Sequence, residues 1–283
     1  MSSASSYGSW LPPATDPAHA PEPPTAARWA PWTAWVALLA AFGIAILGAI
    51  VVGIVGAIFG ASFDDPPPAV NIVATFIQDG AFIGAALLFA SRAGTVLPAQ
   101  FGLSRVRLRT ALKWTAIAYV GYWLLAIAWA ALIGIDEQDS LPDSLGVDES
   151  TVALVAVCVL VTVVAPIAEE VFFRGYFFGA LRNWRGPWPA ALITGLVFGG
   201  IHAGSAEPEF LVPLAILGVA LCVLRWKTGS LLPCIALHAV NNALAFSVAE
   251  DWTVGQGALL VVGATSVALL ACRPFLGPRQ QRA

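Results

Sequence analysis

Two adjacent carboxylates and a guanidinium, Glu169-Glu170-Val171-Phe172-Phe173-Arg174, stand inside a run that is otherwise uncharged from Thr151 to Leu181. Ionised groups at membrane depth are costly and mark a working site more often than not. Glu170 and Arg174 are spaced i,i+4 and can pair along one helix face. Glu169, rotated by about 100° from Glu170, points elsewhere and stays free for acid–base chemistry. Two further i,i+4 pairs follow in apolar surroundings: Phe198 and His202, with Gly199-Gly200 between them, and His238 and Asn242. The glycines permit close approach of a second helix or of a substrate backbone. His238 offers a base or a donor, and Asn242 an amide donor, on one face. Asp79 interrupts another apolar run as Gln78-Asp79-Gly80. Any one of these polar residues could be interhelical glue. Together, Glu169, Glu170, Arg174, His202, His238 and Asn242 argue for a site, with Asp79 and Phe198 as supporting candidates.

The elements that would position these residues are membrane helices. With 58% hydrophobic residues, 11% charged and a mean hydropathy of +0.79, the chain is too apolar for an ordinary soluble domain. The reading is all-α: a polytopic bundle of about eight transmembrane helices, at 34–59, 70–90, 114–135, 151–181, 190–202, 210–226, 233–249 and 258–272. The shortest of these need loop residues to complete the crossing. Residues 1–32, rich in Ser, Pro and Ala, read as a disordered cytoplasmic tail. Residues 33–272 form the membrane domain, with the candidate catalytic core at 151–249, and 273–283 a short basic cytoplasmic tail. A secretory signal peptide is not expected, because the first apolar run follows a polar, proline-rich leader.

Charge orients the bundle. With the N-terminus inside and eight crossings, all 14 Lys and Arg fall inside or at inner helix ends, and the outward connectors carry only acids. Both termini are therefore expected in the cytoplasm, in the plasma membrane of a bacterial cell. Residues 92–113 alternate apolar side chains with Arg105, Arg107, Arg109 and Lys113, and read as an amphipathic segment at the membrane surface. Pro166 is expected to kink its helix just before the carboxylates. The four cysteines lie in apolar spans without CxxC spacing, so neither a disulfide framework nor a thiolate zinc site is expected. Nucleic-acid binding has no support, since no basic patch carries interleaved aromatics.

Depth connects the site to the bundle. At about 1.5 Å per residue, Glu169 and His202 each lie roughly 20 Å from the inner ends of their helices, and His238, Asn242 and Asp79 roughly 12–18 Å. Spans of opposite direction thus place their ionisable groups in one layer.

The three motifs, Glu169-Glu170-Val171-Phe172-Phe173-Arg174, Phe198-Gly199-Gly200-Ile201-His202 and His238-Ala239-Val240-Asn241-Asn242, resemble in order the EExxxR, FxxxH and HxxxN motifs of the CPBP family (CAAX protease and bacteriocin-processing, or Abi) of intramembrane proteases. The resemblance implies a peptidase in which Glu169, helped by His202, activates water. It implies that Glu170 and Arg174 orient the site, and that His238 and Asn242 stabilise the oxyanion. It also implies a membrane-anchored or lipidated (CAAX-type) peptide, or a bacteriocin-like precursor, as substrate, with the lipid bilayer as the other partner. The family has been described both as metalloproteases (metalloendopeptidases) and as glutamate-dependent proteases. Glu169, His202 and His238 could hold zinc, but Asn242 beside His238 suits an oxyanion device better, so no cofactor is required in the leading reading. The cavity is expected to open toward the cytoplasm or the adjacent bilayer. An ion- or proton-coupled transporter and a non-catalytic immunity or scaffold protein are the alternatives.

Overall fold

Apolar residues that satisfy their own backbone polar groups are what a bilayer demands, and helices meet that demand within one segment. The computed structural model describes residues 29–62, 66–134 and 147–277. Most of the tail at 1–32, part of the tail at 273–283, and much of the first and third connectors lie outside the described residues. The helices are α1 (Pro31–Ile58), α2 (Pro68–Ser91), the short α3 (Pro98–Phe101), α4 (Leu108–Ile133), α5 (Thr151–Arg185), α6 (Pro187–Gly200), α7 (Pro208–Thr228), α8 (Leu232–Ala249) and α9 (Val254–Cys272). No strand occurs among the described residues; one isolated bridge joins Ser104 and Gly277.

Proline opens α1, α2, α6 and α7, where a first-turn residue needs no N–H. Glycine closes α7 at Gly229, whose φ of 69° is a left-handed value that favours glycine. Among the described residues, seven helices are long and apolar enough to cross a membrane: α1, α2, α4, α5, α7, α8, and α9 with the turn that extends it to Phe275. The fifth expected crossing, α6, has only 14 residues. It spans roughly 21 Å, against about 30 Å of hydrocarbon. The chain is a multi-pass helical membrane protein.

The 35-residue α5 is the hub, touching α1, α2, α6, α7, α8 and α9. Sequence neighbours α1/α2, α6/α7 and α8/α9 pack as pairs, and α4 packs on α7 and α8. Small residues set the closest contacts. Ala34, Ala37 and Ala41 of α1 are buried in one cluster with Ala85, Ala86 and Ala90 of α2. Gly195 and Gly199 of α6 meet α7 so closely that a Cβ on Gly199 would lie 2.8 Å from that of Ala215. Large apolar side chains on α1, α4 and α9, such as Leu47, Leu124 and Leu259, face outward. On a soluble protein they would be an anomaly; here lipid covers them.

The segment before α4 differs from its expected place on the surface. Phe101 is buried against Trp29 and Gly175, and the Ser230 hydroxyl donates to the Ser104 carbonyl at 2.7 Å. Its arginines 105, 107 and 109 remain exposed, as do Leu97 and Leu108, while Phe101 is drawn into the bundle. An aromatic side chain with a packing hole available prefers the core to the headgroup region.

Candidate active site

Along α5 the helical ladder widens twice, over Leu160–Val164 and Glu170–Phe177, each with five-residue hydrogen bonds. The first widening follows from Pro166, which has no N–H and would crowd the carbonyl four residues back. The Ala165 N–H reaches back to the Leu160 carbonyl. That leaves the Val161 carbonyl without its usual backbone donor. The Asn242 side-chain amide supplies one, donating from Nδ2 at 3.0 Å. π-turns of this kind recur at functional sites.

Glu170 is fully buried; one oxygen is doubly engaged, and Oε2 has no hydrogen-bond partner among the described residues. Its Oε1 accepts from Arg174 Nη1 at 2.8 Å, along the helix face the spacing predicts, and from His238 Nδ1 at 2.9 Å. Arg174, also fully buried, donates from Nη2 to the Gly218 carbonyl at 3.3 Å, and its Cζ lies 4.2 Å from the centre of the Phe198 ring. A desolvated guanidinium against an aromatic face adds about 2 kcal/mol. Phe198 also touches both histidine rings, with centroids 5.0 Å from His202 and 5.8 Å from His238. One ring thus spaces the arginine and the two imidazoles.

Glu169 is different. It lines a cavity of about 410 Å³ together with His202, His238, Asn242, Phe198 and, from α2, Thr75, Gln78 and Asp79. Its Oε2 is 3.8 Å from His238 Nε2, too long for a hydrogen bond, and has no hydrogen-bond partner among the described residues. Both Asp79 oxygens are in the same condition, on a side chain only 2% exposed. His202 Nδ1 lies 2.7 Å from the Phe198 carbonyl. A carbonyl only accepts, so Nδ1 carries the proton and the neutral ring keeps its lone pair on Nε2. The arrangement therefore offers a carboxylate, two imidazole Nε2 atoms and an amide around one space, over a buried Glu170–Arg174 pair that lines none of it. Such a set can hold a water, take a proton from it and pass that proton on.

Every sequence-derived candidate is gathered at one level of the bundle; Glu170 and Arg174 stand behind the cavity and the others line it. Phe172, Phe173, Phe177 and Phe178 are all buried core and make no lipid contact. Thr75 and Leu214 in the lining had no sequence signal beyond lying one turn from Asp79 and opposite Phe198. Zinc does not fit as expected. Among the described residues no three His, Cys, Asp or Glu side chains gather closely enough to hold a metal ion. The residues do not support a metalloendopeptidase.

Fold and site together define a multi-pass membrane protein with a buried carboxylate–histidine cavity at mid-depth. Residues 151–244 match the family model described as type II CAAX prenyl endopeptidase Rce1-like. A stretch of 132 residues, 46% of the chain, is 30% identical to an Escherichia coli protein described as an uncharacterized 24.3 kDa protein. The match covers 58% of that relative's length. No solved structure matches.

Proposed function

We propose that the chain is an intramembrane endopeptidase that hydrolyses a peptide bond of a membrane-anchored or lipidated protein, or of a bacteriocin-like precursor, with both termini in the cytoplasm of a bacterial cell. The observation that carries the reading is the cavity in which Glu169, His202, His238 and Asn242 converge above the Glu170–Arg174 pair. The family match over residues 151–244 supports it, and the one-sided distribution of Lys and Arg supports the orientation.

In this mechanism Glu169 is the base and His202 Nε2 the second acceptor for the attacking water. Glu169 takes one proton, the water oxygen bonds to the scissile carbon, and the carbonyl oxygen becomes an oxyanion. The Asn242 N–H not given to Val161 faces that oxygen, and His238 Nε2, close to Glu169, relays the proton. The C–N bond then breaks as the departing nitrogen receives the proton that Glu169 took. Glu170 and Arg174 fix the His238 ring, since a bond to Nδ1 determines which nitrogen faces the cavity. Asp79 forms the opposite wall. No step needs a bound metal.

The test begins with a Glu169→Ala chain carrying a photo-crosslinker near the cavity, used to trap its partner in native membranes. The trapped partner is then incubated with the intact protein in proteoliposomes and the products are read by mass spectrometry. Cleavage by the intact chain and none by Glu169→Ala, with both equally folded, is the expected result. Normal cleavage by Glu169→Ala would sink the assignment.

A further inference from the structure

The cavity does not run toward the arginines. Its lining includes Gly204, Ser205 and Ala206 in the connector after α6, and Thr75, Leu160 and Leu214, each within nine residues of the first residue of its own helix. The start of α7 lies beside the end of α4, where Trp129 donates from Nε1 to the Glu209 carbonyl at 3.0 Å. Gly204 and Ser205 are exposed, so the cavity reaches the surface there. The opposite helix ends carry the Lys and Arg: Arg92 after α2, Arg182 and Arg185 at the end of α5, and Arg225 and Lys227 at the end of α7. No residue of the lining belongs to them. The reason is local: α6 ends about 9 Å short of a full crossing, so its connector dips into the bundle and leaves the site open on that side.

The mouth also has a charge. Connectors at that end carry acids and no Lys or Arg, among them Asp148, Glu207, Glu209 and Asp251, all exposed. Below it the cavity holds the carboxyl of Glu169. The one deep cation nearby, Arg174, is outside the lining and spent on Glu170 and the Gly218 carbonyl. A cleft of one sign with low-dielectric walls focuses its field and concentrates opposite charge.

We propose that substrate enters from this acidic face, opposite the arginine-bearing helix ends, and that it is a peptide segment of net positive charge. By the positive-inside rule the acidic face is extracytoplasmic, which differs from the expected opening toward the cytoplasm or the adjacent bilayer. The substrate class rests on the peptidase reading; the direction of entry does not.

The test uses the full-length protein with Thr75→Cys in the cavity wall and, separately, Trp184→Cys at the arginine-bearing end, in intact cells and in inverted membrane vesicles. The unsubstituted chain gives the background of the native cysteines. Impermeant methanethiosulfonates, ethyltrimethylammonium (cationic) and ethylsulfonate (anionic), are applied from outside. Expected is modification of Thr75→Cys in cells and of Trp184→Cys only in inverted vesicles. The cationic reagent should react about tenfold or more faster at Thr75→Cys after correction for intrinsic reactivity, with the ratio reduced by the double change Glu207→Gln and Glu209→Gln at the mouth. Labelling of Thr75→Cys only in inverted vesicles would overturn the direction of entry. Equal rates for the two reagents would overturn the charge of the substrate. Either failure leaves the Glu169→Ala cleavage test standing, and absence of cleavage with the expected labelling would count against the peptidase alone.

Discussion

The two halves of α5 are built on opposite rules. From Glu170 toward its arginine-bearing end, Phe172, Phe173, Tyr176, Phe177, Phe178 and Leu181 are all buried, and Glu170 and Arg174 are joined at 2.8 Å, with Glu170 Oε2 and Arg174 Nε left without a hydrogen-bond partner among the described residues. From Glu169 toward the acidic end, the helix borders open volume, and carboxyl oxygens of Glu169 and Asp79 have no hydrogen-bond partner among the described residues. The boundary falls between two consecutive residues. The dense half supplies rigidity and the open half reactivity, and His238 spans both, with Nδ1 on Glu170 and Nε2 toward Glu169. A working group can remain unsatisfied only where its neighbours are over-determined.

The sharpest way to break this contrast is to remove one carboxyl-side member from each half. Glu169→Gln should lower cleavage by about 10²–10⁴-fold, the range for loss of a general base, while leaving thermal unfolding in detergent nearly unchanged. Arg174→Ala should do the reverse first. It leaves buried Glu170 without its guanidinium partner, a loss of about 3–5 kcal/mol, read as a large drop in the unfolding midpoint. If Arg174→Ala unfolds like the parent chain, the dense half is not what holds the site.

A smaller effect should separate neighbouring glycines on α6. Gly199 faces α7, where a Cβ would meet Ala215, whereas a Cβ on Gly200 meets nothing within 4 Å. Gly199→Val overpacks a closed interface and should cost about 1–3 kcal/mol together with cleavage, because it moves Phe198 and His202. Gly200→Ala should be close to neutral by the same unfolding measurement. Equal penalties would mean that the α6–α7 contact does not position the site.

Most of the architecture was legible because composition and charge act along the whole chain. Apolar runs, proline starts and the segregation of Lys and Arg locate the helices to within a few residues. The Glu170–Arg174 pair was legible from i,i+4 spacing alone. The direction of the cavity was not, because it depends on how far α6 falls short of a crossing and where its connector then goes. The burial of Phe101 was hidden for a related reason: alternation with arginines describes the segment's own surface and not the hole beside Gly175 that receives it. The partner of Asn242 was equally hidden, since Asn242 shares a helix face with His238 and bonds instead to a carbonyl 81 residues earlier. That carbonyl is free only because of a proline five positions after it.

This last link yields the smallest and most specific expectation. Asn242→Ala leaves the Val161 carbonyl without a donor, at a cost of about 1–3 kcal/mol if it stays buried. In a Pro166→Ala background, residue 166 gains an N–H placed to pair with Val161 across the widened turn, so the same Asn242→Ala change should cost less, by about 1 kcal/mol or more. Chemical or thermal unfolding of the two single variants and the double variant measures that coupling. Cleavage assays on the same proteins separate the two duties of Asn242. The bond to Val161 becomes dispensable in the Pro166→Ala background, whereas an N–H aimed at the oxyanion does not, so the rate loss should persist where the stability loss has shrunk. Additive stability costs would refute the account of the widened turn. A rate restored by Pro166→Ala would make Asn242 a support for α5 alone and remove it from the oxyanion.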